Sequence, residues 1–318
     1  MPRTVAPEQD VEDFALRVAR TLGLGDGTAG ELAGGNMNHA VRVRTDRADV
    51  VVRFTRDAAR RGDDPFDVEA WCAGAAARAG IRTAPVVART HVEGESVLVV
   101  EHVAGVPTAP DDLAGWRAVG TIAARLAEVP TDDAPDGLFS RFGRDLAGAW
   151  DAHVAYNLEA LGPDDALPGL GVYDRRDRGR LREVVASLRG RDLRQGLSHG
   201  DLCHRNLLTA ADGGYVVLDW GSAQAGPTPW TDLEQIRRWH VTGDVETPVS
   251  AAAWAETLAG ALDGTGTPPD DAARILGSLA VLHALDVVRW ALDRRPDRLA
   301  ELAAGSAATV RRELPRLG

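Results

Sequence analysis

The sequence predicts an α+β protein of two lobes, and three observations carry that expectation. Apolar residues alternate along short runs in the first third of the chain, and helical periodicity fills nearly all of the rest. Between them, Ala104, Gly105, Val106 and Pro107 break the pattern. The expected division is at residue 103, giving a small β-rich lobe over 1–103, a larger and mostly helical lobe over 104–318, and a cleft between them.

In order, residues 8–23 place Val11, Phe14, Ala15, Val18 and Leu22 at helical spacing, so an amphipathic helix opens the chain. Val41 and Val43, followed by the run 50–54, read as a hairpin that turns over 45–49. Gly34, Gly35 and Asn38 form a small-residue loop at its mouth, where backbone N–H groups can approach a bound phosphate. A Gly-Gly pair before a strand is by itself more often a plain turn. Arg53 lies in the apolar run VVVRF, where an unpaired charge is disfavoured. Such an arginine either points to solvent or finds an acid; Glu69, in the first half of a helix expected over 65–78, is the candidate partner, although an isolated glutamate on a helix surface is more often solvated. A second hairpin is expected from 85–91 and 97–103 around Glu93-Gly94-Glu95. Helices are then expected at about 111–128, 140–161, 177–190, 230–241, 250–262, 270–292 and 296–313. Only a hairpin from Leu207 to Leu218 is expected to interrupt them, and 131–137 and 162–173 read as loops.

Composition narrows the chemistry. The 318 residues are 44% hydrophobic and 26% charged, as in an ordinary globular protein, and carry a net charge of −11. That balance is poor for general binding of a nucleic-acid backbone, so no nucleic-acid partner is expected. All 36 basic residues are Arg, which rules out a Schiff-base lysine or the lysine of a Walker P-loop. Cys72 and Cys203 form no CxxC pair and read as reduced thiols. The first residues lack a signal-like apolar run, and the stretch 275–288 is broken by His283 and Asp286 and too short to span a bilayer. A cytoplasmic protein without a membrane partner is the expectation.

The chain is organised around SHGDLCHRNLLTAADGGYVVLDWG, from Ser198 to Gly221. Asp201 sits in its polar loop, Asn206 follows five residues later, and Asp219 closes an apolar strand ahead of Trp220 and Gly221. Two carboxylates and a carboxamide make a hard, oxygen-rich set of the kind magnesium prefers, with one acid left over to handle a proton. His199, Cys203 and His204 lack a second ligand pair for zinc, and His199 reads as a backbone-holding residue. Thr231 or Asp232 reads as a helix cap, with contact to an acceptor as the alternative. Asp132, Asp133, Asp136, Asp164 and Asp165 would suit a cationic acceptor, although such runs are usually solvated. Trp150, Trp230, Trp239 and Trp290 read as core, or as a cage for a quaternary ammonium. His283 and Asp286, on an otherwise apolar helix, either line an acceptor pocket or are satisfied structurally.

The ordered set is a glycine-containing loop, a strand Arg53, a helix Glu69, an apolar strand, then HGDxxxxN and an aspartate before Trp-Gly. It resembles the aminoglycoside phosphotransferase and choline kinase family, small-molecule relatives of the protein kinases, over nearly the whole chain. The resemblance implies a protein-kinase-like two-lobed fold and transfer of the γ-phosphoryl group of ATP or GTP to a hydroxyl, with magnesium. Asp201 matches the catalytic aspartate that orients the hydroxyl and takes its proton, and Asn206 and Asp219 match the magnesium ligands. Gly34, Gly35 and Asn38 match the loop over the phosphates. Glu101 to Val103 match the hinge whose backbone would bond the nucleobase. Arg53 matches a strand position usually held by Lys, paired with Glu69 and contacting phosphates. The exchange follows the chain-wide absence of Lys and leaves a fork suited to phosphate oxygens. An antibiotic-like acceptor is the first expectation, with choline, ethanolamine, homoserine or a sugar as the alternative. A non-catalytic, pseudokinase-like nucleotide-binding module is the rival of another class, and the intact Asp201, Asn206 and Asp219 argue against it.

Overall fold

The computed structural model describes residues 8–32, 38–55, 66–189 and 193–318. The chain begins with α1 (Glu8–Thr21), β1 (Gly27–Glu31), β2 (Asn38–Thr45), β3 (Asp49–Thr55) and α2 (Phe66–Arg78). It continues through β4 (Val86–Val92), β5 (Glu95–Glu101), β6 (Gly105–Pro107), α3 (Leu113–Leu126), α4 (Leu146–Ala160) and α5 (Arg178–Ala186). Then come β7 (Gln195–Ser198), β8 (Leu207–Ala210), β9 (Tyr215–Val217), β10 (Gln224–Pro227) and α6 (Trp230–Thr242). α7 (Ala251–Thr265), α8 (Pro269–Arg294) and α9 (Leu299–Glu313) close the chain. The described residues form two compact units. One runs to Thr108 and adds Asp132–Gly137 and Arg205–Ala223; the other holds Ala109–Thr131, Leu138–His204 and Gln224–Gly318.

The first unit is built on an antiparallel sheet in the order β1-β2-β3-β5-β4. Val50, Val52 and Phe54 alternate along β3 and pack with Val41, Val43, Val97 and Val99 against Val11, Phe14 and Val18 of α1. Phe14 meets Phe54 edge-on at 4.7 Å between ring centroids. The same alternation turns Arg53 to the opposite face. A separate three-stranded sheet, β6-β8-β9, pairs Gly105 with Ala210 and Leu207 with Val217. The single division expected at residue 103 misses this return. β6 finds its hydrogen-bond partner in β8, so Arg205–Ala223 packs with the first unit.

The second unit gathers its core around α8, where Ile275, Leu279, Leu282, Leu285 and Val288 pack with Leu181, Leu188, Trp230 and Val310. α8 extends past the apolar stretch 275–288 to 26 residues, with Pro269 at its first position. By length and composition it could cross a membrane, but 72% of its most apolar window is buried inside the protein, as in a core helix. α3 and α7 approach so closely that a Cβ at Gly120 would overlap the Thr257 carbonyl, and one at Gly260 that of Arg117. Asp112 caps α3 by accepting from the Gly115 amide at 3.0 Å, and Ser250 caps α7 by accepting from Ala253 at 3.1 Å.

The expectation that Leu207–Leu218 alone interrupts the helices is corrected by β7 and β10, which pair Ser198 with Gln224 and Gln195 with Pro227. QGLS and QAGP are short and lack an alternating apolar signal, so only their distant pairing makes them strands. β1, read as GTAGE, went unseen for the same reason. α4 starts at Leu146 rather than near 140, after Gly143 at φ +113°, a backbone angle no helix contains.

Candidate active site

In the first unit, Arg53 on β3 donates through Nη1 to Glu69 Oε1 on α2 and through Nη2 to Asp219 Oδ1 at 2.9 Å. The Glu69 side chain is 5% exposed and that of Arg53 15%, so the expected Arg53–Glu69 pair exists and is largely shielded from water. Asp219 is 48% exposed. A guanidinium spans two carboxylates where an ammonium would hold one point, which gives the arginine at this position a geometric use. Asn38 opens β2; the register Asn38↔Thr55 and Ala40↔Arg53 puts it on the Arg53 face of the sheet.

Asp219 has φ 60° and ψ 67°; with Glu93 it is one of two non-glycine residues at positive φ among the described residues. Aspartate tolerates this region better than most residues, but it persists only where neighbours hold it. Here the Arg53 bond holds the side chain, and the Leu218 amide donates to the Asn206 carbonyl at 2.9 Å. The β8–β9 pairing thus brings Asn206 and Asp219 to one end of the hairpin. Gly221 lies against both acids, with a Cβ there 3.5 Å from Glu69 Oε2 and 3.6 Å from Asp219 Oδ1.

A carboxylate and a carboxamide fit magnesium, which is bound by few protein oxygens and keeps waters and substrate phosphates for the rest. Among the described residues no group of three His, Cys, Asp or Glu side chains offers a softer metal site. Glu101 ends β5, with its amide and that of His102 bonded to the carbonyls of Pro85 and Asp49. Val103 follows, half-buried, ahead of β6. Gly34 and Gly35 lie outside the described residues.

The second unit holds Asp201, and its loop is braced by a residue that the helix-cap reading misplaced. Asp232 is fully buried in the first turn of α6 and accepts from the His199 amide at 3.0 Å and the Gly200 amide at 2.8 Å. It does not cap α6: the cap position is Pro229, without a side-chain bond, and Thr231 donates to the Pro227 carbonyl instead. Burial pushes the Asp232 carboxyl above the usual carboxylate range, while the two amide bonds pull the other way. The Asp201 amide donates to His199 Nδ1 at 3.2 Å, so this nitrogen is the unprotonated one and His199 holds backbone, as its position suggested. Gly200, at φ 77°, makes the tight turn between them. No local sequence signal marks Asp232 for this role, since an acid at the start of a helix ordinarily serves its own backbone. Cys72 and Cys203 are both buried, and burial pushes the Cys72 thiol up to about 12, which leaves it inert.

The second unit also contains a cavity of about 330 Å³. Trp150, His153, Glu234, Leu279, His283 and Asp286 are among its lining residues. His283 and Asp286 therefore face an open space, and each also has a bonded partner within the protein. Arg238 Nη1 lies 3.1 Å from His283 Nε2; an arginine only donates, so that nitrogen accepts and the imidazole is neutral. Surrounding protein, and then the Arg238 charge, holds His283 below its ordinary value. Partial burial alone would raise Asp286, but bonds from His153 and Asn157 keep it below the usual carboxylate range. Asp165 is a correction to the solvated-loop reading, because its side chain is 3% exposed and bonded to Arg289, Tyr173 and the Leu167 amide.

Residues 28–233 match the sequence profile of the phosphotransferase enzyme family. No curated protein matches the chain. Among solved structures, macrolide 2'-phosphotransferase MphH from Brachybacterium faecium is 20% identical with a TM-score of 0.59, over 93% of this chain and 98% of that one. A thermostable mutant of aminoglycoside phosphotransferase APH(4)-Ia, in ternary complex with ADP and hygromycin B, is 17% identical with a TM-score of 0.60, over 95% and 98%. A choline/ethanolamine kinase family protein from Mesorhizobium loti is 18% identical with a TM-score of 0.59, over 98% and 97%. These likenesses establish the fold: a β-sheet amino-terminal lobe and a mostly helical carboxy-terminal lobe, as in protein-kinase-like phosphotransferases.

Proposed function

The chain belongs to the phosphotransferase enzyme family, and from that premise we propose that it moves the γ-phosphoryl group of ATP or GTP to a hydroxyl of an antibiotic-like acceptor. The observation that carries the reading is Arg53 bridging Glu69 and Asp219, which holds a guanidinium fork suited to phosphate oxygens beside a partly exposed carboxylate suited to a metal. Asn206 and Asp219 are the proposed magnesium ligands; the ion, when bound, neutralises charge on the nucleotide's phosphates. Arg53, held by Glu69, contacts the phosphates, with Asn38 and the Gly34–Gly35 loop beside them. The backbone of Glu101 and Val103 bonds the nucleobase. Asp201 orients the acceptor hydroxyl and accepts its proton, and Asp232 with His199 fixes the loop that presents it.

A second reading, a kinase for choline, ethanolamine, homoserine or a sugar, is favoured by the cavity, whose 330 Å³ falls at the low end of the roughly 300–1,000 Å³ common for ligand sites. Magnesium-dependent ADP release across hydroxylated amines, antibiotics and sugars separates the two, with mass spectrometry identifying a product heavier by one phosphate. If no acceptor stimulates turnover while nucleotide still raises the melting temperature, the enzyme reading gives way to a nucleotide-binding module.

A further inference from the structure

Behind the cavity of the second unit lies a chain of buried polar side chains to which phosphoryl transfer assigns no task. Asp165 accepts from the Tyr173 hydroxyl at 2.8 Å and from Arg289 Nη2 at 3.1 Å. Arg289, whose side chain is 9% exposed, donates through Nη1 to Asn157 Oδ1 at 2.6 Å. Because a guanidinium has only donors, this contact settles the carboxamide's orientation: the oxygen of Asn157 faces Arg289 and its amino group faces away. That amino group lies 3.2 Å from the His153 carbonyl and 3.5 Å from Asp286 Oδ1. The other Asp286 oxygen lies 3.2 Å from His153 Nε2. An ionised carboxylate only accepts, so Nε2 carries the proton, and Asp286 retains lone pairs for a group inside the cavity.

The remaining charged groups at the cavity are on α6 and partly offset each other. Glu234 lies 4.0 Å from Arg238, and Arg238 also bonds the neutral His283. Asp286, by contrast, has an imidazole and a carboxamide as its bonded partners and no guanidinium among the described residues. A buried Arg–Asp pair contributes little net stability, since desolvation offsets most of its attraction. Its use here is orientation. We propose that Arg289, anchored by Asp165, is a positioning residue that acts through Asn157 to hold Asp286 as the cavity's receptor for a protonated amine. Leu279, Leu282 and Trp150 take the apolar body of the same ligand. That this ligand is the phosphoryl acceptor rests on the proposed function; the amine-receptor geometry does not.

The test uses the full-length protein without nucleotide and reads binding through leucine methyl resonances. Cyclohexylammonium and the neutral, similarly shaped cyclohexanol are titrated at pH 7. The expected result is an advantage of about tenfold in Kd for the ammonium. Asp286→Asn removes it. Asn157→Leu cuts it below about threefold while leaving the cyclohexanol Kd unchanged, which general loosening of the fold would not do. Arg289→Met alone leaves the Asp165 carboxylate buried without its counter-charge, so the double variant Arg289→Met with Asp165→Asn serves in its place and reproduces Asn157→Leu. An advantage that survives Asp286→Asn overturns the receptor, and one that survives both other variants overturns the positioning role. Failure of both fragments to bind overturns the cavity as a site. No phosphoryl transfer enters the readout, so these outcomes stand apart from the ADP-release experiment.

Discussion

The two units hold their functional side chains in opposite ways. In the first, charge holds charge: Glu69 and Asp219 share the Arg53 guanidinium, and the outer acid remains nearly half exposed. In the second, the loop carrying Asp201 is held by main chain, through two amides on the buried Asp232 and one on His199. The bond to Asp219 is open to water on the acid's side, so it is adjustable and can be exchanged for a ligand's charges. Amides bonded to a fully buried carboxylate are fixed, because releasing them strands polar groups away from solvent. The difference matches the tasks proposed for them, a metal and phosphates to be taken up on one side and a single proton acceptor to be aimed on the other.

Substitutions can break that contrast, and the largest effect is expected at the aimed residue itself. Asp201→Asn should lower kcat by ~10²–10⁴ while nucleotide still raises the melting temperature. A variant that turns over normally would remove Asp201 from its role. Asp232→Ala strands two buried amides, and denaturant titration should show a loss of about 4 kcal/mol, from two charge-assisted bonds. A loss below ~1 kcal/mol would mean that the loop does not depend on its brace.

The next effect tests buried charge without a ligand role. Glu313, 2% exposed, accepts from Arg237 and Arg312, each at 2.7 Å. Burial alone would raise its pKa, yet the two guanidinium groups hold it below the ordinary glutamate value. Its contribution is therefore complete above the unfolded-state value near ~4.3 and disappears as pH falls through the lower folded-state value. Glu313→Gln should cost about 2 kcal/mol at pH 7 and show a shallower acid-side fall in Tm than the parent. The smallest effect is expected for Arg53→Lys, at about 1 kcal/mol, because an ammonium lacks the planar fork whose separate nitrogens meet the two acids. A loss as large as that of Asp232→Ala would erase the contrast between an adjustable set and a fixed one.

The helices and the central strands were legible in the sequence because periodicity reports which face is buried, and Val50, Val52 and Phe54 do so plainly. Arg53 and Glu69 were legible as a candidate pair, because a charge in an apolar run needs a partner or water, and the sequence alone did not choose between them. What stayed hidden depends on residues distant in sequence. β7 and β10 carry no pattern of their own and exist by pairing with each other. Asp232 looked like a cap because the beginning of a helix is where an acid ordinarily serves its own backbone; here it serves a loop over thirty residues earlier. Asp165 looked solvated in an acidic, proline-containing loop because nothing local announces that Arg289, 124 residues later, will reach it.

The strand pairing of β6 with β8 has a consequence for how the protein is made. Thr108 and Thr209 bond each other across 101 positions of chain, and Gly105 pairs with Ala210. At roughly 5–20 residues per second of synthesis, the amino-terminal segment leaves the ribosome about 5–20 seconds before its last sheet partner exists. During that interval β6 offers an unpaired edge to any extended chain nearby. The first unit is thus the earliest to emerge, yet it cannot be completed until much of the second has been translated.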